Sequence, residues 1–128
     1  MLDRLRRTLG RTTDDLHAES LQRRFGADDA TPIGSASERG FTRVRGEVAG
    51  LQVVPRAGAP SLEVTVDDGS GRAVVVFTGR TRVGGLDPGR PVEVDGMARR
   101  ERGRLVFLNP EYRLLSHSFA DAHAVPSS

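Results

Sequence analysis

The chain has 128 residues, with 19 arginines, no lysine, 17 acidic residues and no cysteine, and its formal net charge at pH 7 is +2. The absence of cysteine excludes disulfides, thiol nucleophiles and cysteine-ligated metals, and no apolar run reaches the ~18 residues that a membrane-spanning helix needs. The first residues carry no apolar signal segment, so we expect a cytoplasmic protein without membrane attachment.

Composition divides the chain into a leucine-containing N-terminal part and a valine-rich remainder. Thirteen of the 14 valines lie in residues 41–115, whereas the 40 residues before them carry five leucines and no valine. Since β-branched residues favour strands, the valine-rich part is predicted to be a sheet. We predict a helical extension over residues 1–30, a linker over 31–40, a barrel over 41–115 and a flexible tail over 116–128.

The N-terminal extension is predicted to contain one or two short helices. Three leucines at helical spacing share one face of the first: Leu2, Leu5 and Leu9. A second helix is predicted to begin at Thr12 or Thr13 and to end at Gly26, since a hydroxyl side chain caps a helix start and glycine suits a helix end.

From Phe41 onward, apolar residues alternate with polar ones at a period of two, as in half-buried strands. We expect Gly50 to bulge the first strand, and we expect the third strand to be covered on both sides because Val74 and Val76 make both of its faces apolar. A loop is predicted over 54–60, and residues 99–104 are predicted to turn the chain between the fourth and fifth strands. The five predicted strands begin at Phe41 and then cover residues 62–67, 72–78, 91–98 and 105–108.

Five short strands form a sheet too small to protect its edges unless it closes on itself. Glycines at 46, 50 and 96 fit strands that bend sharply. The predicted fold class is therefore all-β: a five-stranded OB-fold Greek-key barrel preceded by one or two short N-terminal helices.

Five segments in this order resemble OB-fold nucleic-acid-binding domains: Val44–Val48, Leu62–Gly71, Val75–Phe77, Leu86–Gly89 and Val92–Gly96. The ending Asn109–Tyr112 is similar to the end of the wedge domain of branched-DNA helicases. Together with the charged N-terminus and the linker, these segments resemble a family of small actinobacterial OB-fold nucleic-acid-binding-domain proteins over about residues 26–115. The resemblance implies a nucleic-acid partner, either single-stranded or branched DNA.

In an OB barrel the ligand lies across the second and third strands, between the first–second and fourth–fifth loops. Arginines in those places could hold phosphates in bidentate fashion or stack on bases. The predicted nucleic-acid-binding residues are Arg99, Arg100, Arg102 and Arg104 in the fourth–fifth loop, Arg56 in the first–second loop, Arg80 and Arg82 after the third strand, Arg43 and Arg45 on the first strand, and Tyr112.

Other features of the sequence oppose tight binding of nucleic acid. Residues 41–115 hold 12 arginines against nine acids, and the chain has five phenylalanines, one tyrosine and no tryptophan to stack on bases. The second strand presents Glu63 and Asp67 on the expected binding face, where they would repel phosphates. A continuous positive cleft would favour binding, whereas pairing of the arginines with acids such as Glu93, Asp95 and Glu101 would oppose it.

The alternative function is a protein–protein adaptor that uses the barrel as a scaffold. Its partner, or a second copy of the chain, would dock on residues 2–25 or on an uncovered strand face at Val74 and Val76. Catalysis has little support, since none of the three histidines stands near a carboxylate–nucleophile pattern. We therefore expect a non-enzymatic protein without a cofactor or a bound metal.

Overall fold

The computed structural model describes residues 13–26 and 29–116. The described residues form one α-helix, one short 3-10 helix and six strands. These elements are α1 (Thr13–Phe25), the 3-10 helix (Ile33–Ser35), β1 (Arg39–Arg56), β2 (Ala59–Asp67), β3 (Arg72–Thr78), β4 (Pro91–Glu101), β5 (Arg104–Leu108) and β6 (Glu111–Leu114). The predicted helix from Thr13 is confirmed, whereas the leucine face at residues 2–9 and nearly all of the predicted tail lie outside the described residues.

Strand pairing closes the sheet into a five-stranded ring. The order around it is β1-β2-β3-β5-β4, and β4 pairs back onto the first half of β1. The β3–β5 pair is parallel and the other pairs of the ring are antiparallel. This is the predicted OB-type barrel, and closure removes the exposed edges of so small a sheet. β6, which the sequence did not predict, adds to β4 beside β5.

β1 can pair with two neighbours because it bends in its middle. The register with β2 shifts between Val48 and Gly50, which is the bulge predicted at this point. At Gly46 the bent strand passes so close to β2 that a Cβ atom would lie 2.7 Å from the backbone oxygen of Asp67. Any other residue at Gly46 would therefore push the two strands apart.

The barrel interior is filled by the inward-facing residues that the alternation predicts. Val44, Val64 and Val94 belong to this core, and Phe107 is its largest fully buried side chain. A second cluster covers the outer side of the β3–β5 pair, so β3 is buried on both faces as predicted. The members of this second cluster are Val74, Val76 and Val106. The expectation of an uncovered docking face at Val74 and Val76 is therefore wrong.

Residues 54–60, predicted as a loop, form a tight hairpin, so that prediction is wrong. Residues 99–104 turn the chain as predicted, and this turn is also a tight hairpin. Both are two-residue turns in which each residue has a positive φ: 52° and 81° at Ala57 and Gly58, and 55° and 82° at Arg102 and Gly103. Such turns match the right-handed twist of the flanking strands, so pairing continues to the turn itself. Their sequences lack the usual Asn-Gly or Asp-Gly signal, which is why residue type alone did not reveal that each turn has only two residues.

The segment predicted as a linker is held against the barrel. Asp68, in the β2–β3 turn, accepts a hydrogen bond at Oδ2 from the backbone N–H of Ile33 at 2.9 Å. Its Oδ1 accepts from the N–H groups of Ser70 and Gly71, so one buried carboxylate joins the turn to the incoming chain. Ile33 itself lies in the main core.

α1 packs on the barrel through a small apolar contact. Leu21 and Phe25 are its buried residues, four positions apart on one helix face. Gly69 of the β2–β3 turn lies against the helix, where a Cβ atom would meet the backbone oxygen of Ala18. Within the described residues, no helix has the length and apolar character needed to cross a bilayer.

Candidate functional site

A groove of about 370 Å³ crosses the outer face of the barrel beside the β4–β5 hairpin. Its floor is apolar, formed by Met97, Val106 and Leu108, and its charged lining is three arginines and one glutamate. The charged residues are Arg39, Arg56, Arg99 and Glu101. The groove thus joins cations to an apolar floor, which is a combination suited to a ligand with both anionic and flat apolar groups.

Strand register places the arginines and the apolar residues in neighbouring rows. Arg39 on β1 pairs with Arg99 on β4, and Arg99 pairs in turn with Val106 on β5. The adjacent outward row contains Phe41 and Met97, which are also register partners. Because side chains two positions apart on a strand face the same side, these residues form one continuous surface.

Three large apolar side chains of this surface are open to solvent. Phe41 is 72% exposed, Met97 is 63% exposed and Leu108 is 51% exposed. We call these three residues the apolar strip. Phe41 is the most exposed of them and presents an aromatic ring beside two arginines.

The four arginines predicted as one cluster at residues 99–104 are divided by the hairpin. Arg100 points away from the groove and donates hydrogen bonds from Nη2 to the backbone oxygens of Ile33 and Ala36, at 2.9 and 3.2 Å. Arg102 and Arg104 are exposed, and their side chains form no ion pair with the residues that the structure describes. Arg100 therefore holds the N-terminal segment in place, and the other three arginines face solvent.

Glu101 neutralises part of the groove. Its carboxylate lies 2.6 Å from Nη2 of Arg99 and 3.7 Å from Nη2 of Arg56. Arg56 also lies 4.0 Å from Glu63 on β2. Exposed pairs of this kind contribute only ~0.2–1 kcal/mol each, so an anionic ligand can replace the carboxylates at small cost.

Arg43 and Arg45 are held in ion pairs on the outer face of β1 and β4. Arg45 is buried and contacts Asp29 at 2.6 Å and Glu93 at 2.8 Å. Its hydrogen bonds lower the pKa of Asp29 to about 2, and the same contact raises the pKa of Arg45. Arg43 donates to Asp95 at 2.7 Å, which raises the pKa of Arg43. These two arginines are thus matched with carboxylates.

The remaining predicted residues lie outside the groove. Arg80 and Arg82 are exposed in the β3–β4 connection, and Arg82 lines a separate groove that also contains Val53. Tyr112 makes an edge-to-face contact with Phe77, with ring centroids 5.4 Å apart, and is partly exposed. The structure thus brings Arg56 and Arg99 together at the groove, but it does not bring Arg43, Arg45, Arg80, Arg82 or Tyr112 to it.

Sequence reasoning missed four residues of this surface: Arg39, Phe41, Met97 and Leu108. The signal was present for Phe41, because extending the outward alternation of Arg43 and Arg45 by one step includes it. Met97 likewise continues an outward series on the fourth strand. Among residues 13–26 and 29–116, no three potential metal-ligating side chains cluster together, and two of the three histidines lie outside that range.

No family model matches the chain, and no curated protein matches it. Among solved structures, the chain is similar to one described as "Structure and Conformational Change of a Replication Protein A Heterotrimer Bound to ssDNA", with a TM-score of 0.48 and 16% sequence identity. The similarity covers 82% of this chain and 88% of that chain. At this level the comparison adds nothing to the fold that the strand order already shows.

Proposed function

We propose that the chain is a non-enzymatic OB-fold protein that binds single-stranded or branched nucleic acid weakly and with low sequence specificity. The observation that carries the proposal is the groove beside the β4–β5 hairpin, where arginines surround an apolar floor. Arginine presents a planar set of donors that fits phosphate and also stacks on bases. The apolar floor and the exposed ring of Phe41 suit the flat faces of bases.

Charge pairing explains why the binding is proposed to be weak. Carboxylates already contact four of the arginines: Arg43, Arg45, Arg56 and Arg99. A phosphate must either displace these carboxylates or bind beside their negative charge, and both weaken binding. Within the barrel strands and their connections, the exposed arginines without an ion pair to any described residue are Arg39, Arg80, Arg82, Arg102 and Arg104. Since only Arg39 among these five lines the groove, we expect few phosphate contacts and a modest affinity.

The lining of the groove also supports low sequence specificity. Asparagine and glutamine read adenine by donating and accepting hydrogen bonds, whereas arginine can only donate and so distinguishes only guanine, through its O6 and N7 acceptors. Among the described side chains that line the groove, none is an amide or a hydroxyl. Contacts with phosphates and with base faces do not depend on sequence.

Fluorescence anisotropy of a labelled oligothymidylate tests the proposal directly. If about four arginines meet phosphates, the logarithm of the affinity should fall with the logarithm of the salt concentration with a slope of about −3. A duplex and a three-way junction labelled in the same way distinguish the single-stranded from the branched ligand.

Charge-removing variants locate the interface. Arg39→Ala and Arg99→Ala remove arginines that line the groove, and each should weaken binding and reduce the magnitude of the salt slope by ~0.7. Arg23→Ala on α1 removes the same charge outside the groove and should leave binding unchanged. Absence of binding at low salt, or equal effects of all three variants, would contradict the proposal.

One observation favours the second candidate, a protein-binding or self-associating role for the N-terminal helix. Leu16 on α1 is half-exposed, whereas Leu21 and Phe25 of the same helix face the barrel. A second copy of the chain could cover it. Light scattering after size exclusion should then detect a dimer that Leu16→Glu converts to a monomer, and a monomeric wild-type protein would exclude self-association.

A further inference from the structure

The two halves of the outer barrel face differ in charge. On β2, the outward residues include Glu63 and Asp67, held by Arg56 and Arg72 respectively. These carboxylates leave the β2 side of the face without unpaired positive charge. A phosphate chain that crossed β2 would therefore meet two acids whose arginines are already paired.

The β4–β1 side has the opposite character. The apolar strip lies open to solvent, although large apolar residues elsewhere in the barrel are mostly buried. Contiguous exposed apolar side chains on a small protein mark a binding surface. Arg39, whose side chain has no ion pair with a described residue, and Arg99 lie in the row beside Phe41 and Met97.

We propose that an unpaired nucleic-acid strand follows the β4–β1 side of the barrel rather than crossing β2 and β3. This inference rests on the proposed function. The bases lie against Phe41 and Met97, and the phosphates meet Arg39 and Arg99. An unpaired strand offers phosphates to the arginine row and exposed base faces to the apolar row. In a duplex the base faces are stacked on one another and cannot contact the apolar row.

The affinity of two ligands for the Phe41→Ala variant measures the contribution of the ring. Loss of one base-stacking contact should weaken binding of an oligothymidylate by ~5- to 150-fold, and binding of a duplex should not change. Because Phe41 is 72% exposed, the Phe41→Ala variant should unfold at the same temperature as the wild-type protein. An affinity loss confined to the single strand supports the path along β4 and β1.

A tryptophan reporter locates the strand independently, since the chain contains no tryptophan. Phe41→Trp places a single indole on the apolar strip, and Val53→Trp places one at an exposed position in the separate groove that Arg82 lines. The oligothymidylate should quench the fluorescence of the first variant and leave that of the second unchanged. Quenching at position 53 alone would overturn the proposed path.

The outcomes separate the path from the function itself. If wild-type protein binds the oligothymidylate but Phe41→Ala binds equally well and Phe41→Trp is not quenched, the path is wrong and the proposed function stands. If wild-type protein does not bind the oligothymidylate, the proposed function fails as well. Binding of an acidic, leucine-containing peptide with no binding of the oligothymidylate would identify the strip as a protein-docking surface and overturn both.

Discussion

Removal of the Glu101 carboxylate should increase the affinity for single-stranded nucleic acid. Glu101 contacts Arg99 at 2.6 Å and Arg56 at 3.7 Å, so one carboxylate forms ion pairs with two of the arginines that line the groove. Glu101→Gln keeps the size of the side chain and removes the charge. Both arginines then become free to meet phosphates, although Arg56 remains near Glu63.

The expected magnitude follows from counterion release. Each additional phosphate contact on a single strand steepens the salt slope by ~0.7. Since this contribution vanishes near ~1 M salt, one contact multiplies the affinity by ~8 at 50 mM salt and by ~4 at 150 mM salt. The cost to folding is small, because loss of an exposed ion pair changes the free energy of unfolding by ~0.2–1 kcal/mol.

Anisotropy titrations at several salt concentrations measure both quantities. Glu111→Gln is the matched control, since it removes the same charge from an exposed position on β6 that does not line the groove. We expect the control to retain the wild-type salt slope. If both variants raise the affinity equally, the gain reflects net charge alone. If Glu101→Gln binds no better than wild type, Glu101 does not compete with phosphate and the reasoning is refuted.

Three further predictions concern stability and the role of single contacts. NMR titration should give a pKa of about 2 for the Asp29 carboxyl, which Arg45 holds below its ordinary value of 3.8. Because the folded-state pKa is the lower one, the Asp29–Arg45 pair stabilises the fold fully above pH 3.8, and this stabilisation is lost as the pH falls through about 2. A folded-state pKa near 3.8 would contradict the ion pair. Asp68→Ala should lower the free energy of unfolding, measured by urea denaturation, by ~3 kcal/mol, since the buried carboxylate accepts several hydrogen bonds. Hydrogen exchange at the Ile33 amide should also become faster, and unchanged exchange would contradict the role of Asp68 in holding this segment. Arg100→Ala should lower stability by ~1–2 kcal/mol but leave oligonucleotide affinity unchanged, and a loss of affinity equal to that of a groove variant would contradict its structural role.

Local patterns were sufficient for the barrel and its core. The period-two alternation from Phe41 identified the inward face of each strand, and the valine run Val74–Val76 predicted a strand covered on both sides. These predictions succeeded because residues two positions apart on a strand face the same side of the sheet, so the local sequence shows which side is buried. The hairpin at 57–58 was missed because its first left-handed position is occupied by Ala57, a residue type that seldom adopts this backbone, although Gly58 adopts it readily.

The sequence by itself determined the fold class, the α1 helix and the supply of arginines. Only the tertiary structure decided which arginines are matched with acids. The pairs of Arg43 with Asp95 and of Arg45 with Glu93 join residues 52 and 48 positions apart, and Arg100 reaches a backbone oxygen 67 positions away. Their formation depends on the register in which β4 closes against β1 and on where the N-terminal segment rests. Electrostatic contacts act between atoms a few ångströms apart in space, so composition and spacing along the chain do not reveal them.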